Sequence, residues 1–194
     1  MSRRVLGIDP GLTRCGVGVV DIAAGRKLSL VSVDTLRTPS DMELALRIAT
    51  LANGLTQLIE LVNPDVIALE RLFAQPRLKT VMGTAQISGV VLLLAQQRGI
   101  PVVLHTPTEV KAAVTGSGKA AKAQVGTMVA KLLGLTEIPK PADAADSLAI
   151  AICQALKGSG LGSASAAKSN QDGATKAQQQ WAAAERAAKT SRAR

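Results

Sequence analysis

The first part of the chain runs in short apolar stretches separated by turns. Residues 3–9 (RRVLGID) read as a short buried strand, the turn PGLTR follows, and CGVGVVDI reads as a second strand. KLSLVSVDTL alternates apolar and polar residues at period two, which suits a third strand. The period then changes. Across 41–62, Met42, Leu44, Ala45, Ile48, Leu51, Ala52, Leu55, Leu58 and Ile59 fall at helical spacing, and Asn63-Pro64 ends that helix. DVIALE predicts a short buried strand, 79–98 a helix closed by Gly99, and IPVVLH a fifth strand. Further helices are expected near 107–115, 121–133 and 142–156. Three strands feeding alternating helix and strand predict a mixed sheet with helices on its faces.

Composition refines this picture in three places. At 194 residues the chain suits one domain with a real core, and with aromatics at 1% that core must be aliphatic. After Leu156 the sequence turns rich in Gly, Ser, Ala and Gln, so 1–156 reads as the folded domain and 157–194 as a flexible basic tail. A short helix around WAAAERAAK is compatible with that tail. The net charge of +9 points to a polyanionic partner, nucleic acid before membrane. The tail holds seven Lys and Arg against two acids, so it carries over half of the excess.

The two cysteines, Cys15 and Cys153, sit in apolar segments at a spacing that suits neither a zinc site nor a disulfide framework. Buried free thiols in a reducing cytosol are the expectation. MSRRVLGIDPG lacks the apolar core of a signal peptide, and the run from Gly89 to Ala95 is too short to span a bilayer. A cytoplasmic protein is expected.

The chemistry lies in four carboxylates. Asp9 ends the first strand, directly before Pro10-Gly11, and Glu70 ends the fourth. If those strands are parallel neighbours, the two side chains emerge together at a sheet end, where α/β sites form. Asp143 and Asp146 open the last helix three residues apart, so they share a face, and a helix N-terminus favours their charge. Each has a purely structural alternative. Asp9 could open an Asx-turn, Glu70 could pair with Arg71 or Arg77, Asp143 could be an N-cap, and Asp146 a solvated helix residue. Jointly, clustered carboxylates repel unless a cation lies between them. Hard oxygen donors suit Mg²⁺ or Mn²⁺, and two such ions can clamp the attacking and leaving oxygens of a phosphodiester.

At these residues the chain resembles the RuvC family, the bacterial crossover junction endodeoxyribonucleases. The resemblance spans residues 4 to about 156. It rests on GIDPGLTRCGVGVV, VIALERLFAQ, EVKAAVTGSGKAAKAQV and PADAADSLAIAIC, in the family's order and spacing. It implies an α/β, RNase H-like fold, a five-stranded mixed sheet flanked by helices, and a homodimer that resolves Holliday junctions by paired metal-dependent cuts on opposed strands. Asp9, Glu70, Asp143 and Asp146 match the family's catalytic metal-binding acids. Some members place His at the position of Asp143, so this residue either shares in metal binding or acts as a base. The resemblance also implies four-way junction DNA and the RuvA and RuvB branch-migration proteins as partners.

Between Arg71 and Lys122 there are seven basic residues and one acid, Glu109. Lys111 and Lys122 match family positions that contact DNA near the site; Lys119 and Arg77 are further candidates, although a solvated surface suits Lys119 at least as well. Phe73, the sole aromatic before the tail, is placed by the resemblance against junction bases, the alternative being a loop anchor on Leu72.

Two motifs mislead. TGSGK resembles a P-loop, but Ala113 stands where the first Gly belongs and Ala120 follows Lys119. GVGVV lacks the third Gly of a dinucleotide fingerprint. His105 has no nearby Cys or His and is expected to be structural. Rival readings are an actin-like or Hsp70-like ATPase, which shares a motif like GIDPGLTRCGVGVV but needs a second domain, a junction-binding protein without catalysis, and another RNase H-like nuclease such as the YqgF type.

Overall fold

The computed structural model describes residues 2–71 and 78–158. Three strands come first: β1 (Arg3–Asp9), β2 (Arg14–Ile22) and β3 (Leu28–Arg37). Then α1 (Leu44–Val62), β4 (Val66–Glu70), α2 (Leu78–Gln97) and β5 (Val102–His105) alternate. The helices α3 (Pro107–Thr115), α4 (Lys122–Leu133) and α5 (Ala142–Gly158) follow. The sheet has the order β3-β2-β1-β4-β5, antiparallel through the first three strands and parallel from β1 outward.

Strand alternation divides the apolar residues between two cores, since successive side chains leave opposite faces. Leu6, Ile8, Val17, Val19, Ile67 and Leu69 face α1 and α2, packing on Leu51, Leu55, Ile59, Ile87 and Val91. Val5, Val20, Val66 and Ala68 face the other way, toward α3, α4 and α5. Leu148, Ile150 and Ile152 of α5 are fully buried, and each contributes about 1.5–3 kcal/mol by leaving water.

Where the element ends depart from the sequence reading, the cause is local. Helix α1 begins at Leu44, not near 41, because the Glu43 carboxylate accepts from the backbone N–H groups of Ala45 and Leu46 at 3.0 and 3.2 Å. Helix α5 continues to Gly158, two residues into the expected tail. Arg3 Nη1 donates to the Gly158 carbonyl at 3.2 Å, and Lys157 meets Glu109 at 2.8 Å. The expected tail from 159 onward lies outside the described residues. Both cysteines are free and buried, and burial pushes Cys15 up to about 12 and Cys153 to about 11, so neither is an accessible thiolate. Among the described residues no helix is long and apolar enough to cross a membrane.

Candidate active site

β1 and β4 are parallel neighbours in the register Val5↔Val66 to Ile8↔Leu69, so Asp9 and Glu70 come next, side by side. Ile8 and Leu69 point toward α1 and α2; alternation therefore turns Asp9 and Glu70 to the α5 face. Two glycines decide how close α5 can come. A Cβ on Gly7 would strike the Ser147 carbonyl and the Ala151 nitrogen, and one on Gly16 would strike the Asp143 carbonyl. With hydrogen at both positions, α5 lies directly on β1 and β2, and its first turns reach the strand ends with Asp143 and Asp146.

The electrostatics show the cost of this convergence. Asp9 is pushed up from 3.8 to about 7, first by burial, then by the carboxylates of Asp146, Glu70 and Asp143, with Lys122 opposing. Burial and Asp146 also raise Glu70, against Lys122 and Lys111. Lys122 Nζ lies 2.7 Å from Asp146, and Arg14 Nε lies 3.1 Å from Asp143. Among the described residues no three His, Cys, Asp or Glu side chains close into a ligand cage, and the two acids of α5 are instead each held by a cation. Asp9 forms no ion pair with any described residue and bears the repulsion of the other three acids.

Beside the acids opens a cavity of about 210 Å³, lined by Glu70, Asp146, Lys111, Lys122 and the apolar side chains of α3, α4 and α5. Acid and base thus share one wall. Lys122 is placed there as the first residue of α4, where the Gln124 side chain accepts from Ala121 N at 2.9 Å. Lys111 rides on α3, whose start is fixed by Pro107 and by the reciprocal Thr106–Glu109 capping box. Glu109, the one acid of the basic segment, is spent on that box and on Lys157, which lower it to about 2. Lys119 is exposed in the α3–α4 loop and does not line the cavity. Phe73 and Arg77 lie outside the described residues.

His105 is buried and bonded through Nε2 to Gln154 Oε1 at 2.8 Å, with burial lowering its pKa, as a structural histidine would be. The TGSGK run forms the end of α3, the left-handed Gly116 cap and the turn beyond it. Sequence reasoning missed Arg14 and Arg47. Arg47 occupies the buried face of α1 with Leu51, Leu55, Ile59 and Val62. A charged residue four positions before Leu51, in step with the core residues, was the available signal.

A family model described as crossover junction endodeoxyribonuclease RuvC matches residues 5–154. The chain belongs to the RuvC family. It is 54% identical over 202 residues to the RuvC of Leifsonia xyli, covering 100% of this chain and 97% of that one. With the RuvC of Streptomyces avermitilis it is 61% identical over 150 residues, 77% of this chain and 85% of the relative. Among solved structures, T. thermophilus RuvC in complex with Holliday junction substrate superposes with a TM-score of 0.77 at 33% identity, covering 80% of this chain and 94% of that one. RuvC proteins are metal-dependent nucleases that resolve Holliday junctions in recombination and repair. The five-stranded mixed sheet with its flanking helices is their RNase H-like fold, and the ATPase and YqgF-type readings are set aside.

Proposed function

We infer that this crossover junction endodeoxyribonuclease cuts four-way DNA over the floor formed by Asp9, Glu70, Asp143 and Asp146, and that these acids hold its divalent ions. The observation that carries the reading is the convergence of acids from β1, β4 and the start of α5, with Asp9 buried and raised to about 7 by burial and the three others. A fold tolerates that arrangement where a cation is to be gripped. The donor chemistry fits: all four are hard oxygen ligands, suited to Mg²⁺ with Mn²⁺ as a substitute, and with Asp143 and Asp146 released from Arg14 and Lys122 the four carboxylates provide for two ions. Bound there, the ions would supply an activated water and charge compensation for the leaving oxygen. Asp143 serves as a ligand on this reading, although the role of base is open to it as well.

The chain's own residues do the rest. Lys111 and Lys122, on the cavity wall beside Glu70 and Asp146, hold phosphate oxygens and orient the strand across the acids. Lys119, on the exposed loop between them, adds a longer-range contact, and Phe73 and Arg77 are the further residues that contact junction DNA on this reading. Paired cuts on opposed strands call for two sites related by a two-fold axis, hence a homodimer. Helix α2 supports it: Ile87, Val91 and Ala95 face the core, while Met82, Leu92 and Leu93 remain exposed at 53%, 44% and 57%. The cytoplasm is the compartment, and RuvA and RuvB are the protein partners.

The test mixes purified protein, Mg²⁺ and synthetic four-way or linear DNA. Paired nicks are expected on the junction alone. Asp146→Asn should bind junctions at least as well as the parent, since the lost carboxylate no longer holds Lys122 away from phosphate, yet fail to cut. Near-normal cutting by Asp146→Asn and Glu70→Gln at low Mg²⁺ would refute the site.

A further inference from the structure

A second pocket, of about 370 Å³, has Asp143 in its wall. Its walls are the β1–β2 turn, with Thr13 and Arg14, the start of α2, with Thr84, and Arg47 of α1. Arg47 is only 9% exposed. Its Nε donates to Thr38 Oγ1 at 3.0 Å and its Nη2 to Thr13 Oγ1 at 2.7 Å. Thr38 in turn donates to the Leu12 carbonyl at 2.6 Å, which fixes the turn against the β3–α1 loop. Among the described residues no carboxylate pairs with Arg47. Glu43, one turn before it, is spent on the α1 N-cap, and Asp143, the one acid of the pocket wall, is held by Arg14. A guanidinium carries five N–H donors. Two neutral hydroxyls accept two of them; Nη1 bonds no described residue and is not among the fully buried side-chain atoms, so it opens to solvent on the pocket side. With no carboxylate beside it, the guanidinium keeps an unbalanced positive charge and open N–H donors on the pocket wall, where an anion can meet them.

We propose that this pocket binds a backbone phosphate of the DNA strand that crosses the acids, with Arg47 as a positioning residue that fixes the strand's register. The inference rests on the reading that those acids face DNA. A phosphodiester has a single negative charge and two free oxygens, which match the arginine fork. The pocket and the acid floor share Asp143, so a phosphate seated here is one attached to the strand being cut rather than a free ion. Arg14, at the rim and 60% exposed, supplies a second arm.

The experiment titrates four-way DNA against wild type, Arg47→Gln, Arg47→Lys and Thr84→Glu over a series of salt concentrations, with melting curves and cleavage kinetics for each. Losing one phosphate contact should make the slope of log K against log salt shallower by about one unit and weaken binding roughly tenfold. Arg47→Gln should show this with a raised KM, and Arg47→Lys should recover most of the slope. Thr84→Glu puts a carboxylate on the wall of the same pocket as Arg47; the folded variant should lose the same slope. That variant decides the matter if Arg47→Gln does not fold. Inorganic phosphate should compete only weakly, whereas saturation of the pocket by free phosphate without loss of DNA affinity would overturn the assignment. So would wild-type slope and KM in Thr84→Glu and in folded Arg47→Gln, with wild type cutting normally. A wild type that does not cut junctions would overturn the function itself, and the pocket's assignment with it.

Discussion

Replacing Asp9 with asparagine removes a carboxylate that the fold holds against its preference for water. Burial and three neighbouring acids raise it from 3.8 to about 7. A raised acid favours the folded state while protonated. Its contribution is therefore complete below 3.8, declines as pH rises, and is gone above about 7. Between about pH 5 and pH 8 the loss covers about two pH units at about 1.36 kcal/mol each, or about 2–3 kcal/mol. For a chain of this size that is roughly 4–12 °C in Tm. The substituted amide would be neutral throughout, so the comparison isolates the one group from the other titrating acids. In chelator, Asp9→Asn is expected to melt above wild type at pH 8, and the gap to shrink by that amount at pH 5. Adding Mg²⁺ at pH 8 should raise wild type more than the variant, because the ligand stabilises the state that binds it. Calorimetry reads all three. A gap that stays constant with pH would refute the argument that Asp9 is a repelled, buried charge, and a Mg²⁺ effect equal in both proteins would remove Asp9 from the ligand set.

Three other outcomes follow from the same geometry. Gly7→Ala drives a methyl group into the Ser147 carbonyl of α5 and should cost on the order of 1–3 kcal/mol, read by denaturant titration, with cleavage lost more than stability as Asp143 and Asp146 move from the strand ends. A chain ending at Gly158 should fold and cut junctions with weaker non-specific DNA binding; loss of cutting by the folded truncation would place catalytic or binding residues beyond 158. Sedimentation at micromolar concentration should show a dimer, and Leu93→Glu on the exposed side of α2 should leave a folded monomer.

The elements were legible because their periods are clean. β1 and β4 read as unbroken apolar runs since both faces are covered, and α1 reads at helical spacing since one face is. The parallel pairing of β1 with β4, on which the Asp9–Glu70 approach depends, was a condition in the sequence and is an observation in the structure. The ion pairs were not legible. Arg14 and Asp143 are 129 positions apart, and nothing local in either says that they meet. Arg47 left a trace, a charge in step with Leu51 and Leu55, but periodicity ranks apolar residues and passes over such an exception. The glycines of β1 and β2 read only as strand residues. Their role is visible once α5 lies against them, because what matters is the absence of a Cβ toward a partner more than 120 residues away.

If the four acids face DNA as proposed, the two ion pairs also account for how an acidic floor can receive it. Four carboxylates alone would repel a phosphate strand. Here Lys122 and Arg14 neutralise Asp146 and Asp143 through side chains that are 71% and 60% exposed. Pairs that open to solvent contribute only about 0–1 kcal/mol, so releasing them costs the fold little. Once the carboxylates have another counter-charge, both arms would be free to turn toward phosphate, Lys122 with Lys111 in the first cavity and Arg14 with Arg47 in the second. Cation binding and strand binding would then support each other, because each removes a charge that the other would otherwise have to face. Junction affinity should accordingly rise with a non-catalytic divalent ion such as Ca²⁺ in the parent protein. In Asp146→Asn, where Lys122 has no carboxylate to leave, the gain should be smaller. An equal gain in both proteins would show that the ions act on the DNA alone and that the ion pairs play no part in admitting it.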